Sequence, residues 1–326
     1  MQYRSLGRTG LKVSAVGLGC MMFGWRADEA EAAKIAGAAL DAGINFFDTS
    51  VSYGRGASET ILGGLLKRLR VRDKVFISTK VGLASEVDPA PDAVGNGRRN
   101  VIRQCELSLR RLQVDHIDLL QIHRPSREVP IEETMGALDQ LIRDGKVRYI
   151  GTSNFSAWQI VECLWRCEIN HLLPISSEQL RYNILDRRAE RDIFDVVGRY
   201  GLGSLAYSPL AEGILTGKYK ANGPLPSDSR FAMATRKEDY AKRLTPEVLQ
   251  VVDKLAAAAK QRGISPTTLA VAWILKNQNV SSVLSGPSRH EQLTPFCQAL
   301  DVTLDDECLA AIDTIVGRGQ SLVPGL

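Results

Sequence analysis

The chain has 326 residues, of which 44% are hydrophobic and 24% charged, with a formal net charge of +4. That length builds a substantial core, and the composition is that of a globular protein rather than a disordered or fibrous one. The small charge, with Lys and Arg spread along the chain, argues against a nucleic-acid partner, and no apolar run approaches the ~20 residues that cross a bilayer.

Residues 2–13 read as a short β-hairpin turning at Gly7-Arg8-Thr9-Gly10. A unit of strand then helix follows and recurs. The predicted strands are 15–18, 45–47, 75–79, 117–122, 147–151, 175–178, 203–206 and 281–284. The predicted helices are 28–42, 58–69, 100–112, 131–143, 156–166, 189–200, 245–262, 266–277, 289–299 and 304–316. Alternating βα units with short apolar strands imply a parallel sheet. Eight of them, with no Pro-, Gly- or Ser-rich linker, imply α/β architecture of one kind: a single (β/α)8 TIM barrel over 1–326, with the hairpin plugging its N-terminal mouth and an extra C-terminal helix. The rival doubly wound fold has a decoy in Gly17-Leu18-Gly19. Met22 stands where a third glycine would, and a loop through Trp25 precedes the helix, so that motif is rejected.

In a barrel the chemistry sits at the C-terminal strand ends. Those ends read Gly19-Cys20-Met21, Asp48, Lys80, His123, Ser153-Asn154, Gln179, Tyr207-Ser208 and Ser285-Gly286, polar closures of apolar strands. Asp48 is followed five residues on by the phenol of Tyr53. A phenol has a pKa of ~10, and a nearby ammonium lowers it. Asp48 would hold Lys80 charged and oriented, Lys80 would depress the Tyr53 pKa, and His123 would polarise a carbonyl or relay a proton. The set describes a proton donor for a carbonyl or alkoxide. The four histidines, His116, His123, His171 and His290, form no HxH or HExxH, so no metal is expected, and no GxSxG marks a hydrolase. Taken singly, each of these residues would more often be a turn, surface or packing residue; together at successive strand ends they read as catalytic.

These residues resemble the catalytic tetrad of the aldo-keto reductases, bacterial-type NAD(P)H-dependent members included, in order and setting. The resemblance runs from Arg4-Ser5-Leu6-Gly7-Arg8-Thr9-Gly10 to the helix after Leu304. It implies a (β/α)8 barrel and reduction of a carbonyl by a nicotinamide cofactor without metal or flavin, with Tyr53 as general acid. It further implies cofactor contacts at Gly19, Cys20, Met21 and Asp48, with Cys20 near the nicotinamide. Ser153, Asn154 and Gln179 would hold its carboxamide, and Tyr207 would stack on its ring. Ser208, Leu210, Gly213 and Lys218 would wrap the pyrophosphate, and Ser285, Gly286, Ser288, Arg289 and Gln292 would meet the adenosine. Departures are Cys20 for the more usual Thr, Phe296 for an Asn, and Arg289 as the only cation expected near a 2′-phosphate. NADPH is favoured, with NADH left open.

The expected partner is a small carbonyl compound, with no nucleic acid and no membrane; the sequence leaves the oligomeric state open. The Met1-Gln2-Tyr3-Arg4 start has no apolar signal core, and the six cysteines show no CxxC, so free thiols and a cytoplasmic setting are expected. Arg124, Arg181 and Arg187 read as structural ion pairs, while Phe23, Trp25, Phe231 and Met233 could line a substrate pocket. Polar loops at 22–27, 82–99 and 211–244, with Asp88, Asp92, Asn96, Arg98, Arg99, Asp228, Ser229 and Arg230, lean toward a hydroxylated substrate such as a keto-sugar. Part of the long 211–244 loop is expected to close over the cofactor. Two alternatives stand beside the reductase: a sensor or regulatory subunit that holds the cofactor with little turnover, and an alcohol or sugar dehydrogenase working in the oxidative direction.

Overall fold

Eight parallel strands close on themselves in the computed structural model, which describes residues 1–84, 93–220, 223–233 and 242–323. The hairpin comprises β1 (Tyr3–Ser5) and β2 (Lys12–Ser14). The barrel strands are β3 (Val16–Gly19), β4 (Phe46–Asp48), β5 (Phe76–Val81), β6 (Ile117–Ile122), β7 (Val147–Ser153), β8 (Ser177–Arg181), β9 (Gly203–Tyr207) and β10 (Val280–Ser285). Each pairs in parallel with its sequence neighbours, and β10 pairs with β3 through Val283↔Val16 and Leu284↔Gly17, which closes the ring. This is the (β/α)8 barrel expected from the sequence. The main departures are at strand ends: β5, β7 and β8 run two or three residues further than their apolar runs, into the polar residues of the site.

Several helices begin where a capping side chain satisfies a free backbone amide. Asp28 accepts from the Glu31 amide at 2.8 Å, Thr245 from Val248 at 3.2 Å and Ser265 from Thr268 at 3.0 Å. Ser156 and Gln159 form a capping box. The predicted starts at 28, 156 and 245 are these caps, one residue before the helices themselves. Prolines at 246 and 266 take the first helical position, where the missing N–H is not needed. The predicted helix 289–299 is a 3-10 turn, His290–Leu293, followed by a short α-helix, Thr294–Gln298, with Pro295 inside its first turn.

The Gly17-Leu18-Gly19 decoy lies in β3 and leads into a 3-10 turn, Cys20–Met22, not into a helix. All six cysteines are free, and Cys163 and Cys167 are buried on the inner side of their helix. Among the described residues no helix is long and apolar enough to cross a membrane.

The hairpin closes one mouth. Leu6 and Val13 are fully buried and cluster with Phe46, Leu119, Leu205 and Leu284, which point into the barrel. Gly7, at φ +57°, lies so close to β9 that a Cβ there would sit 2.5 Å from the Gly203 amide nitrogen. With the bottom of the barrel filled by these side chains, the cavity at Asp48, Tyr53 and His123 opens toward the C-terminal strand ends. Leu6→Ala should lower unfolding free energy by about 2–5 kcal/mol, the usual cost of emptying a buried leucine site. Urea denaturation reads this directly, and a loss below about 1 kcal/mol would mean that the hairpin is not part of the core.

Candidate active site

Three strand ends bring three ionisable groups together. Asp48 ends β4, Lys80 is the penultimate residue of β5, and His123 follows β6 by one residue. Lys80 and Asp48 are almost wholly shielded from solvent, at 0% and 2% exposure. A charge so placed must be paired and hydrogen-bonded. Lys80 Nζ donates to Asp48 Oδ2 at 2.5 Å, to the Thr49 carbonyl at 2.9 Å and to the Tyr53 hydroxyl at 3.3 Å. The other carboxylate oxygen of Asp48 accepts from Ser78 Oγ at 3.0 Å and from the Gln179 and Gln121 amides at 3.0 and 3.4 Å. Both lone-pair sides of Asp48 are therefore engaged, and its orientation is fixed.

Tyr53 reaches Lys80 because of an unusual turn. Gly54, Arg55 and Gly56 follow it at φ 56°, 59° and 93°, three left-handed residues in succession. Gly56 packs on the Arg111 guanidinium, where a Cβ would come within 2.6 Å of its central carbon. Arg111 cannot retreat freely, since it pairs at 3.0 Å with Glu59, itself fully buried and accepting from Thr79 Oγ1 at 2.7 Å. The turn after Tyr53 thus rests on a buried ion pair.

A second set lies across the mouth. Asn154, at φ +63°, donates from Nδ2 to the His123 carbonyl at 3.0 Å and to Ser153 Oγ at 2.9 Å. Tyr207 donates its hydroxyl to Asn154 Oδ1 at 2.7 Å, and Ser153 Oγ donates to the Gln179 carbonyl at 2.9 Å. His123 Nδ1 is 3.0 Å from Ser50 Oγ, and its ring meets Tyr53 edge-on with centroids 5.8 Å apart.

These surroundings set the protonation states. Burial, with Lys80 and Arg124 nearby, pushes His123 down to about 2, so its imidazole is neutral at neutral pH. Burial also pulls the Lys80 ammonium down, but the attraction of Asp48 and Tyr53 and their hydrogen bonds outweigh it, and Lys80 ends above its ordinary value. For Tyr53 the expected lowering by Lys80 is present but outweighed. Burial raises the phenol, Lys80 lowers it and Asp48 raises it again; the net result lies above the ordinary value, not below. The hydroxyl keeps its proton at neutral pH and is available as a donor.

A cavity of about 520 Å³ opens above these groups. Asp48, Tyr53 and His123 line it, with Lys80 buried behind them. Gly19, Met21, Ser153, Asn154, Gln179 and Tyr207 form its inner wall, and Ser208, Leu210, Gly213 and Lys218 a second stretch. Ser285, Gly286, Ser288, Arg289, Gln292 and Phe296 line the far end. Cys20 does not reach it: the side chain is fully buried, and the Cys20 carbonyl accepts from Ser58 Oγ at 2.8 Å.

Other placements differ from expectation. Phe23 and Phe231 are fully buried, Phe231 stacked on Tyr219, while Trp25 and Met233 are exposed; none of the four lines the cavity. Arg181 and Arg187 are ion-paired, to Glu212 at 3.2 Å and to Asp313 at 2.8 Å, but Arg124 is an exposed residue of the cavity lining. Arg289 is not the only cation at its end. Arg26, Lys218 and Arg230 also line the cavity, and Asp228 lies among them, bonded by Arg289 at 3.1 Å and through its carbonyl by Arg26. Asp88 and Asp92, with the rest of 85–92, and residues 221–222 and 234–241 of the 211–244 loop lie outside the described residues.

Sequence reasoning also missed Ser78, Gln121 and Glu178. Their signal was a polar residue within an apolar barrel strand, which is a costly place for one.

The donor set fits a dinucleotide: hydroxyl and amide groups near Tyr53, Gly and Ser backbone along one side, and guanidinium and ammonium groups at the other end. Residues 15–316 match the model of the aldo/keto reductase family. A probable voltage-gated potassium channel subunit beta of Arabidopsis thaliana is 38% identical over 305 residues, covering 93% of this chain and 92% of that protein. An uncharacterized oxidoreductase of Bacillus subtilis, YrpG, is 36% identical over 97% of this chain and 96% of its own length. The L-glyceraldehyde 3-phosphate reductase of Escherichia coli O157:H7 is 35% identical over 98% of this chain and 94% of its own. The chain belongs to the aldo/keto reductase family, and it is an oxidoreductase of that family.

One buried acid gives a pH signature. Burial raises the Glu178 carboxyl to about 8, against the hydrogen bonds of Thr152, Phe155 and Asn154. Its unfolded value is ~4.3, so between these two pH values the folded state holds a proton that the unfolded state has lost. The stability contribution is full below the unfolded value and falls as pH rises through about 8. Wild type should therefore lose stability between about pH 5 and 8, and Glu178→Gln, which cannot ionise, should lose less. Parallel urea curves for both proteins over that range would contradict the buried-acid assignment.

Proposed function

We propose that the chain reduces an aldehyde or ketone to an alcohol with NAD(P)H, using Tyr53 as general acid. The observation that carries this reading is Lys80 Nζ lying between Asp48 at 2.5 Å and the Tyr53 hydroxyl at 3.3 Å, at the floor of the cavity. The cofactor, when bound, supplies a hydride to the carbonyl carbon. As the C–O π bond breaks, its electron pair moves to oxygen and an alkoxide develops. Tyr53 gives that oxygen its proton, because an alkoxide is far more basic than a phenolate. The phenolate left behind faces the Lys80 ammonium, which stabilises it. Burial keeps the phenol protonated until it is needed, and the hydrogen bond and charge of Lys80 pull against that burial, which eases loss of the proton to the alkoxide. Neutral His123 orients the carbonyl by a ring N–H rather than acting as an acid.

Ser153, Asn154 and Gln179 would hold the nicotinamide carboxamide, with Tyr207 against its ring. Gly19, Met21 and Asp48 would border it, with Cys20 behind, shaping the wall from within the core. Ser208, Leu210, Gly213 and Lys218 would run along the pyrophosphate, and Ser285, Gly286, Ser288, Arg289 and Gln292 along the adenosine. NADPH is the favoured form, supported by the cations around Asp228; NADH is the alternative. The substrate is a small carbonyl compound, and the polar loops favour a hydroxylated one.

A second reading is favoured by one observation, the potassium channel subunit name of the plant relative. On that reading the chain holds its cofactor as a subunit of a larger assembly and turns over slowly.

The test is NADPH and NADH consumption against a panel of aldehydes, ketones and keto-sugars. Steady turnover supports the reductase; tight retention with no turnover favours the subunit. Lys80→Met should lower turnover by about 100- to 10,000-fold, the range of general acid catalysis, because the phenolate loses its counter-charge. A variant within tenfold of wild type would show that the ammonium does not support the acid. Arg289→Ala should weaken NADPH more than NADH, since only NADPH has a 2′-phosphate for a charge-assisted bond. Equal weakening in fluorescence titrations would move that task to another cation.

A further inference from the structure

One fully buried carboxyl takes no part in the steps above. Glu178 lies on β8 immediately before Gln179 and has 0% exposure. Its Oε2 accepts from the Thr152 hydroxyl at 2.6 Å, and its Oε1 from the Phe155 amide at 3.0 Å. The Asn154 amide adds a further donor. Thr152 and Phe155 flank Ser153 and Asn154, so one carboxyl ties the two ends of a four-residue segment to the neighbouring strand.

That segment needs tying. Asn154 is in the left-handed region at φ +63°, which asparagine tolerates better than other non-glycine residues but which still needs its surroundings to hold it. The Asn154 amide also donates to the Gln179 carbonyl at 3.0 Å. So held, the Asn154 side chain joins three strand ends, accepting from Tyr207 at 2.7 Å and donating to the His123 carbonyl at 3.0 Å. An apolar side chain at 178 would avoid the cost of burying a carboxyl but would leave the Phe155 amide and the Thr152 hydroxyl without their acceptor.

We propose that Glu178 is a positioning residue for the amide-recognising corner of the site, clamping Thr152 and Phe155 so that Ser153 and Asn154 meet the nicotinamide carboxamide. This role rests on the NAD(P)H reading. It predicts an effect confined to the nicotinamide half of the cofactor. A general loosening of the barrel would instead affect the adenosine half equally.

The experiment is calorimetric titration of wild type, Glu178→Ala, Glu178→Gln and Thr152→Val with NADPH and with 2′-phospho-ADP-ribose, which lacks the nicotinamide. Glu178→Ala should bind NADPH about tenfold more weakly, the effect of leaving buried donors unpaired, and 2′-phospho-ADP-ribose within about twofold of wild type. Glu178→Gln keeps an acceptor for the Phe155 amide and should restore NADPH affinity to within about threefold. If Glu178→Ala fails to fold, Thr152→Val, which removes a single donor, carries the test with a smaller loss, again for NADPH alone. Unchanged NADPH affinity, or equal loss of both ligands in a folded variant, would overturn the role. A wild type that binds neither NADPH nor NADH would overturn the cofactor reading itself, and this role with it.

Discussion

Lys80 carries an ammonium into a position with no exposed surface, and much of the barrel's C-terminal face is arranged to hold it there. Desolvation alone would drive off its proton or unfold its surroundings. Asp48 at 2.5 Å supplies the compensating charge, and Ser78, Gln121 and Gln179 hold that carboxylate in place. These residues come from four strands, β4, β5, β6 and β8, so the pairing is correct only when the ring is closed and in register. Fold and chemistry meet in this constraint. A shift of one residue in β5 would turn Lys80 outward and leave Asp48 buried without a counter-charge.

The phenol illustrates how opposing influences of similar origin are resolved. Lys80 lowers the Tyr53 pKa, but the burial that makes Lys80 useful raises it by more. The net effect leaves a protonated donor beside a fixed cation, suited to transferring a proton late, when negative charge has built up on the substrate. The neutral His123 follows from the same burial and the same ammonium. A single buried cation thus bears on the protonation of both neighbours that face the cavity.

Much of this was legible in the sequence because barrel strands are short apolar runs and the residues ending them are not. Asp48, Lys80 and His123 stand out against Phe46-Phe47, Val75-Phe76-Ile77 and Leu119-Leu120. The strand and helix order followed from the same contrast, and the caps at Asp28, Ser156 and Thr245 marked helix starts to within one residue. What the sequence concealed depends on distance in space. Asp228 and Arg289 are far apart in the chain but bonded at 3.1 Å, so a cluster of cations around an acid looked like a lone arginine. Ser78, Gln121 and Glu178 looked like interruptions of apolar strands until their partners were in view. Phe23 and Phe231 carried the composition of a pocket wall and lie in the core instead, since an aromatic in a loop serves either use equally well. The direction of the Tyr53 shift depended on how deeply the ring is enclosed, which no local pattern encodes.

The central claim is that Tyr53 is the proton donor, and the most direct measurement is single-turnover oxidation of bound NADPH by Tyr53→Phe with a carbonyl that the wild type accepts. The substitution removes one oxygen and little volume, so cofactor binding should survive. Hydride transfer should slow by about 100- to 10,000-fold, the range expected when a general acid is lost. A rate within a few-fold of wild type would contradict the account: the proton would then come from water or His123, and the Asp48–Lys80 pair would have to serve some other end.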